Sequence, residues 1–157
     1  MRIGHGFDVH AFAQGRKLIL GGVEIPCDKG LSGHSDADVL THALMDAMLG
    51  AACLGDIGRL FPDTEERYRG ISSLKLLCEV SAKIDEAGYR LINADITVIC
   101  QKPKLRPYID EMSSKLAGAL RTGFDAVSIK ATTTEKLGFT GREEGIAAEA
   151  VCLLEKK

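Results

Sequence analysis

Ile146-Ala147-Ala148-Glu149-Ala150-Val151-Cys152-Leu153-Leu154 is the stretch whose reading decides the fold. Ile146, Ala148, Ala150, Cys152 and Leu154 occupy every second position, the period of a strand with one buried face. The Ala and Glu content also permits a helix, but the alternation favours a strand. Two other runs support a sheet: Asn93–Cys100 and Val127–Thr132 are rich in β-branched residues. Residues 1–25 carry Ile3, Phe7, Val9, Leu18-Ile19-Leu20 and Val23-Glu24-Ile25, punctuated by Gly15, Gly21-Gly22 and Pro26. That pattern predicts two or three short strands with tight turns.

Three helices separate these strands. The first follows a loop over residues 30–36, with Ser35 or Asp36 as its N-cap, and runs to about Leu54. Its apolar positions 40, 44, 47, 48 and 51 keep helical spacing. The second covers about Ser72 to Ala87 and stops at Gly88. The third starts with Pro107 in its first turn and ends near Arg121. The order is strands, helix, helix, strand, helix, strand, strand. It predicts an α/β (α+β) fold, a mixed β-sheet with helices packed on one face. At 157 residues the chain is expected to form a single domain, residues 1–157.

Composition narrows the function. With 45% hydrophobic and 27% charged residues the chain reads as an ordinary soluble globular protein. A net charge of −2 gives no attraction for nucleic acid or an acidic membrane surface. No apolar run approaches the ~20 residues of a membrane span. The N-terminus enters patterned sequence directly, without a signal-peptide core. The five cysteines are odd in number, widely spaced and set among apolar residues. This is the usage of a reduced, cytoplasmic protein, and no C-x-x-C pair offers a metal site.

The chemistry starts at Asp8-Val9-His10. In an extended segment Asp8 and His10 project to one face while Val9 points away. His42, at the edge of the first helix's apolar stripe, can meet that strand. One carboxylate and two imidazoles leave a fourth position open, as a catalytic zinc needs; non-haem iron accepts the same set. Residues so far apart in a chain can equally be unrelated. Residues 55–64 are irregular, and a loop of that length in a compact domain is often functional.

Gly4-His5-Gly6-Phe7-Asp8-Val9-His10, Gly33-His34-Ser35-Asp36-Ala37-Asp38, Leu54-Gly55-Asp56-Ile57-Gly58, Phe61-Pro62-Asp63-Thr64 and the specific run Lys130 to Arg142 together resemble the 2-C-methyl-D-erythritol 2,4-cyclodiphosphate synthase family. The resemblance covers essentially the whole chain in order. It implies a non-mevalonate isoprenoid enzyme whose substrate, 4-diphosphocytidyl-methylerythritol 2-phosphate, turns its 2-phosphate on its own β-phosphorus and releases CMP.

The resemblance also implies roles. Asp8, His10 and His42 match zinc ligands. Glu135 matches the ligand of a magnesium or manganese ion. His34 and Thr133 match groups that steady the transition state. Ser35 matches a phosphate contact, and Asp56, Ile57 and Gly58 the methylerythritol site. Phe61, Pro62, Asp63, Thr64 and Glu65 match a flap over it. Cys100, Gln101, Lys102, Pro103, Lys104, Leu105 and Arg106, with Ala131, Thr132 and Thr134, match the cytidine pocket. Cys100 stands where the family pattern has Ala, and Cys27 where an aromatic is expected. A homotrimer with active sites between subunits is implied, as is an axial cavity lined by Phe139 and Arg142 that takes an isoprenoid diphosphate. The plain alternative for Arg142 is a trimer salt bridge to Glu149. A zinc phosphohydrolase and a non-catalytic binding trimer use the same residues; the intact ligand set argues against both.

Overall fold

The computed structural model describes all residues, Met1 to Lys157. Its centre is a five-stranded sheet in the order β4-β1-β7-β5-β6. The strands are β1 (Arg2–Gln14), β4 (Lys29–Leu31), β5 (Tyr89–Ile99), β6 (Val127–Thr132) and β7 (Gly145–Lys156). The alternating C-terminal stretch is β7, antiparallel to β1 on one side and to β5 on the other. Only β5 and β6 run parallel, which makes the sheet mixed. Ile146, Ala148, Ala150, Cys152 and Leu154 are all buried, as their period requires. A separate hairpin joins β2 (Leu18–Leu20) to β3 (Val23–Ile25). Gly21 and Gly22, at φ 55° and 71°, supply the left-handed pair that a two-residue hairpin turn needs.

The helices α1 (Val39–Ala51), α3 (Ser73–Glu86) and α4 (Ile109–Leu120) cover one sheet face. Helix α1 is central, with eleven of its thirteen residues buried. It passes so close over β1 that a Cβ at Gly4 or Gly6 would strike the backbone carbonyls of Ala47 and Ala43. This approach brings His42 to the strand that carries Asp8 and His10. The opposite sheet face is left open: Ile3 is 74%, Phe7 51%, Val9 39% and Val151 45% exposed. One continuous cluster of 37 buried residues forms the core.

Several boundaries differ from the sequence reading. The cap of α1 is Asp38, not Ser35 or Asp36, and the helix ends at Ala51 rather than Leu54. Ala37 adopts φ 59°, so the helix cannot start before it. Asp38 is fully buried and accepts from the amides of Gly21, Gly22 and Thr41 and from the Thr41 hydroxyl. It therefore caps the helix and fixes the hairpin at once. The 30–36 loop contains the short strand β4, which pairs with the end of β1. The irregular 55–64 stretch holds a one-turn helix, α2 (Ile57–Leu60), capped by Asp56. A second short helix, α5 (Gly138–Gly141), precedes β7. Pro107 lies in a single tight turn, Arg106–Tyr108, that leads into α4.

Candidate metal centre

Asp8 and His10 project from β1 at alternate positions, opposite Ala148 and Ile146 of β7. His42, from the first turns of α1, completes the group. Asp8 Oδ2 lies 3.0 Å from His10 Nε2 and 3.2 Å from His42 Nδ1, and the two ring nitrogens are 3.1 Å apart. This is the one cluster of metal-binding side chains in the chain.

The surroundings assign the proton on each ring. His10 Nδ1 donates to the carbonyl of Ser32, which leaves its Nε2 lone pair facing Asp8. His42 Nε2 donates to Ser73 Oγ at 2.9 Å, and Ser73 in turn donates to Asp36. Ser35 Oγ lies 3.2 Å from the same nitrogen. That leaves the Nδ1 lone pair of His42 facing the other two ligands. Two lone pairs and a carboxylate oxygen crowded this closely repel one another unless a cation sits among them. A proton or a metal ion meets that need, and outer hydrogen bonds of this kind are how metal-binding imidazoles are held. Burial would raise the Asp8 carboxyl. When the two rings are protonated, their hydrogen bonds to Asp8 and their charges outweigh burial and hold the carboxyl well below the usual range. Burial lowers His10, but Asp8 more than compensates, and its pKa is raised.

Beside the triad opens a cavity of about 480 Å³ lined by His10, Gly33, His34, Ser35, His42, Ile57, Gly58, Phe61, Pro62, Asp63 and Thr64. The predicted phosphate contacts and flap residues are thus gathered at the metal cluster. Asp56 does not line this cavity; its carboxylate accepts from the Arg59 amide and caps α2. Glu65 does not line the cavity; its carbonyl accepts from His34 Nε2 and its carboxylate pairs with Arg67.

The other predicted residues form a second cavity of about 610 Å³. Cys100, Gln101, Pro103, Lys104, Leu105, Arg106, Ala131, Thr132 and Thr133 line it. Thr133 Oγ1 donates to the exposed Glu135 carboxylate, so these two lie with the second cavity and not with the triad. The Gln101 side chain accepts from the Lys136 amide, tying the two loops of this cavity together. Lys102 turns away to Glu143, and Thr134 bonds the Leu137 carbonyl and Thr140. Phe139 is 39% exposed. Within the chain Arg142 pairs with Glu144.

Sequence reasoning missed Ser73, Asp36 as its partner, Arg16 and Asp46. Asp46 accepts from the Ile57 amide and so anchors α2 against α1; burial raises its carboxyl. No spacing marks these residues, because each acts through an element distant in sequence.

A mixed sheet that presents a carboxylate and a histidine, met by a second histidine from α1 beside an open cavity, defines an α/β protein with a candidate metal centre. The YgbB family model matches residues 1–155, and the chain belongs to that family. It is 63% identical over 154 residues to a 2-C-methyl-D-erythritol 2,4-cyclodiphosphate synthase of Lachnospira eligens, covering 98% of this chain and 84% of that one. The bifunctional IspDF of Campylobacter jejuni superposes with a TM-score of 0.96 at 47% identity. That match covers 99% of this chain but only 42% of IspDF. A CDP complex of IspF from Plasmodium falciparum gives a TM-score of 0.86 at 33% identity, covering 99% and 96%.

Proposed function

We infer that this chain converts 4-diphosphocytidyl-2-C-methyl-D-erythritol 2-phosphate into 2-C-methyl-D-erythritol 2,4-cyclodiphosphate and CMP. The observation that carries this reading is the Asp8–His10–His42 triad opening on a cavity walled by the 33–35 loop and the 57–64 flap. A phosphate monoester has a second pKa of about 6 and is mostly dianionic at neutral pH, so the nucleophile needs no general base. The chain's task is to align the 2-phosphate with the β-phosphorus and to neutralise crowded oxygens. Asp8, His10 and His42 hold zinc, which supplies Lewis-acid charge beside the phosphates. Glu135, with the substrate's own phosphates, holds magnesium or manganese.

His34 and Thr133 steady the transition state by donating to phosphate oxygens. His34 Nε2 now donates to the Glu65 carbonyl, so donation from that nitrogen requires the flap to let go. Ser35 binds phosphate, Asp56 the methylerythritol hydroxyls and the 100–106 loop the cytosine. Placement of these two halves on separate cavities of one chain supports a site shared between subunits. The open apolar face of Ile3, Phe7, Val9 and Val151 supports association through the sheet, as a homotrimer. Phe139 and Arg142 then face its axial cavity, where an isoprenoid diphosphate is the ligand. Five free cysteines support a reducing, cytoplasmic setting, and no helix is long and apolar enough to cross a membrane.

Phosphorus NMR of the products tests the reaction. A cyclic diphosphate with equimolar CMP, lost in His42→Ala, is expected. CMP with a linear bis-phosphate would instead make the chain a hydrolase.

A further inference from the structure

The 32–35 segment walls the metal cavity through Gly33, His34 and Ser35, and Ser35 also lines a neighbouring cavity. That second cavity is shallow and lined as well by Arg16, Lys17, Glu24, Asp36 and Gly70. Every carbonyl of the wall is engaged by the chain itself. Ser32 accepts from His10 Nδ1, and His34 from the Gly70 amide at 2.8 Å. Gly33 and Ser35 both accept from Arg16, at 2.8 Å through Nη1 and 2.6 Å through Nη2. The amides of Gly33, His34 and Ser35, by contrast, meet no acceptor of the chain. Three successive uncommitted N–H groups on residues that line the metal cavity can donate to an anion there, provided the carbonyls between them stay turned away.

We propose that Arg16 is a positioning residue for phosphate, its guanidinium fork holding the Gly33 and Ser35 carbonyls back so that the 33–35 amides face the metal cavity. The inference rests on the cyclodiphosphate synthase reading and adds a residue to it. Arg16 touches neither metal nor substrate; it acts through the loop on both sides of His34. The planar fork matters, because a lysine ammonium is a single point that cannot fix two carbonyls in one geometry. A phosphate arriving past a carbonyl that had swung inward would meet a negative dipole in place of a donor.

The test compares the wild-type protein with Arg16→Met and Arg16→Lys. Loss of two hydrogen bonds, each worth about 1 kcal/mol, corresponds to a fall in kcat/KM of roughly 10-fold to 50-fold in both variants. Zinc affinity and CMP affinity are expected to stay at wild-type values, while the thermal midpoint falls by no more than the roughly 5 °C that two hydrogen bonds represent. A kcat/KM within twofold of wild type, full rescue by Arg16→Lys, a loss shared with zinc affinity, or a midpoint lowered by roughly 10 °C or more, the scale of general unfolding, would overturn the proposal. Titration of inorganic phosphate into the zinc-loaded wild-type protein, followed by amide NMR, reads the same site without a variant. Shifts concentrated at Gly33, His34 and Ser35 are expected; their absence overturns it. If the wild-type protein bound phosphate there yet did not cyclise the substrate, the proposed reaction would fall and the Arg16 assignment would stand.

Discussion

The metal cavity is assembled from side chains that β1, the 32–36 loop, α1, α2 and α3 bring together, whereas the second cavity is walled by two short loops, 100–106 and 131–133. In the first, the outer nitrogen of each imidazole is fixed by a partner within the chain: the Ser32 carbonyl for His10, and buried Ser73, itself bound to Asp36, for His42. In the second, Cys100 bonds the backbone of Lys102 while Lys104 and Arg106 are exposed. The first is therefore sensitive to side-chain identity and tolerant of little. The second is expected to depend on where the backbone runs and to absorb substitutions of its side chains.

The sharpest way to break this comparison is His42→Ala, which removes a ligand and leaves Asp8 and His10 alone. Zinc affinity is expected to fall by more than the roughly 10-fold to 100-fold that outer partners of a metal site carry, with turnover lost in parallel. Zinc competition against a chromophoric chelator measures it. Retained stoichiometric zinc in the variant would show that the triad is not the metal site.

Asp38→Ala attacks the scaffold of the same region. It strands four donors, three of them buried, at the Gly21, Gly22 and Thr41 amides and the Thr41 hydroxyl. Breaking a buried polar network of this kind costs on the order of 3–5 kcal/mol. For a chain of this size that lowers the thermal midpoint by roughly 10 °C. Scanning calorimetry at pH 7 reads the change, and a midpoint within 2–3 °C of wild type, less than about 1 kcal/mol, would mean that the cap is dispensable.

Ser73→Ala is gentler. It removes the acceptor of His42 Nε2–H and leaves Ser35 Oγ, at 3.2 Å, as a weaker substitute. A loss of about 10-fold in zinc affinity is expected, at the lower end for such partners, with the fold intact. Cobalt substitution gives a visible spectrum that reports a tilted imidazole; an unchanged spectrum and affinity would show Ser35 to be sufficient.

These effects also explain what could be read from the sequence. Alternation placed β7 and put Asp8 and His10 on one face, because the strand period is a local property. Helical spacing likewise put His42 on α1. The cap was misplaced by two residues because Ser35, Asp36 and Asp38 are equally good caps in isolation. Only the hairpin turn at Gly21-Gly22 selects Asp38, while Ser73 and the Asp38 amide occupy Asp36. The short elements β4, α2 and α5 have too few residues for any period and form because their neighbours hold them. Ser73 and Arg16 carried no local mark for the same reason. The roles of Glu135, Thr133 and the 100–106 loop came from resemblance alone, since main-chain recognition leaves little trace in side-chain chemistry.

The smallest expected effect lies in the second cavity, at Cys100. Its Sγ donates to the Lys102 carbonyl at 3.0 Å, a weak bond between two parts of one loop. Cys100→Ala removes that bond and one buried sulfur without moving the backbone proposed to read the base. CMP affinity is therefore expected to change by less than about threefold, the scale of well under 1 kcal/mol. Burial, with Cys27 nearby, pushes the Cys100 thiol up to about 12. At pH 8 its thiolate fraction is then on the order of one in ten thousand, and exposed Cys53 and Cys78 are expected to alkylate first. Mass spectrometry after brief iodoacetamide treatment checks that order. If Cys100 reacted as fast as Cys53, or its alanine variant lost CMP binding tenfold, the second cavity would depend on its side chains as closely as the metal cavity does, and the contrast between the two regions would be wrong.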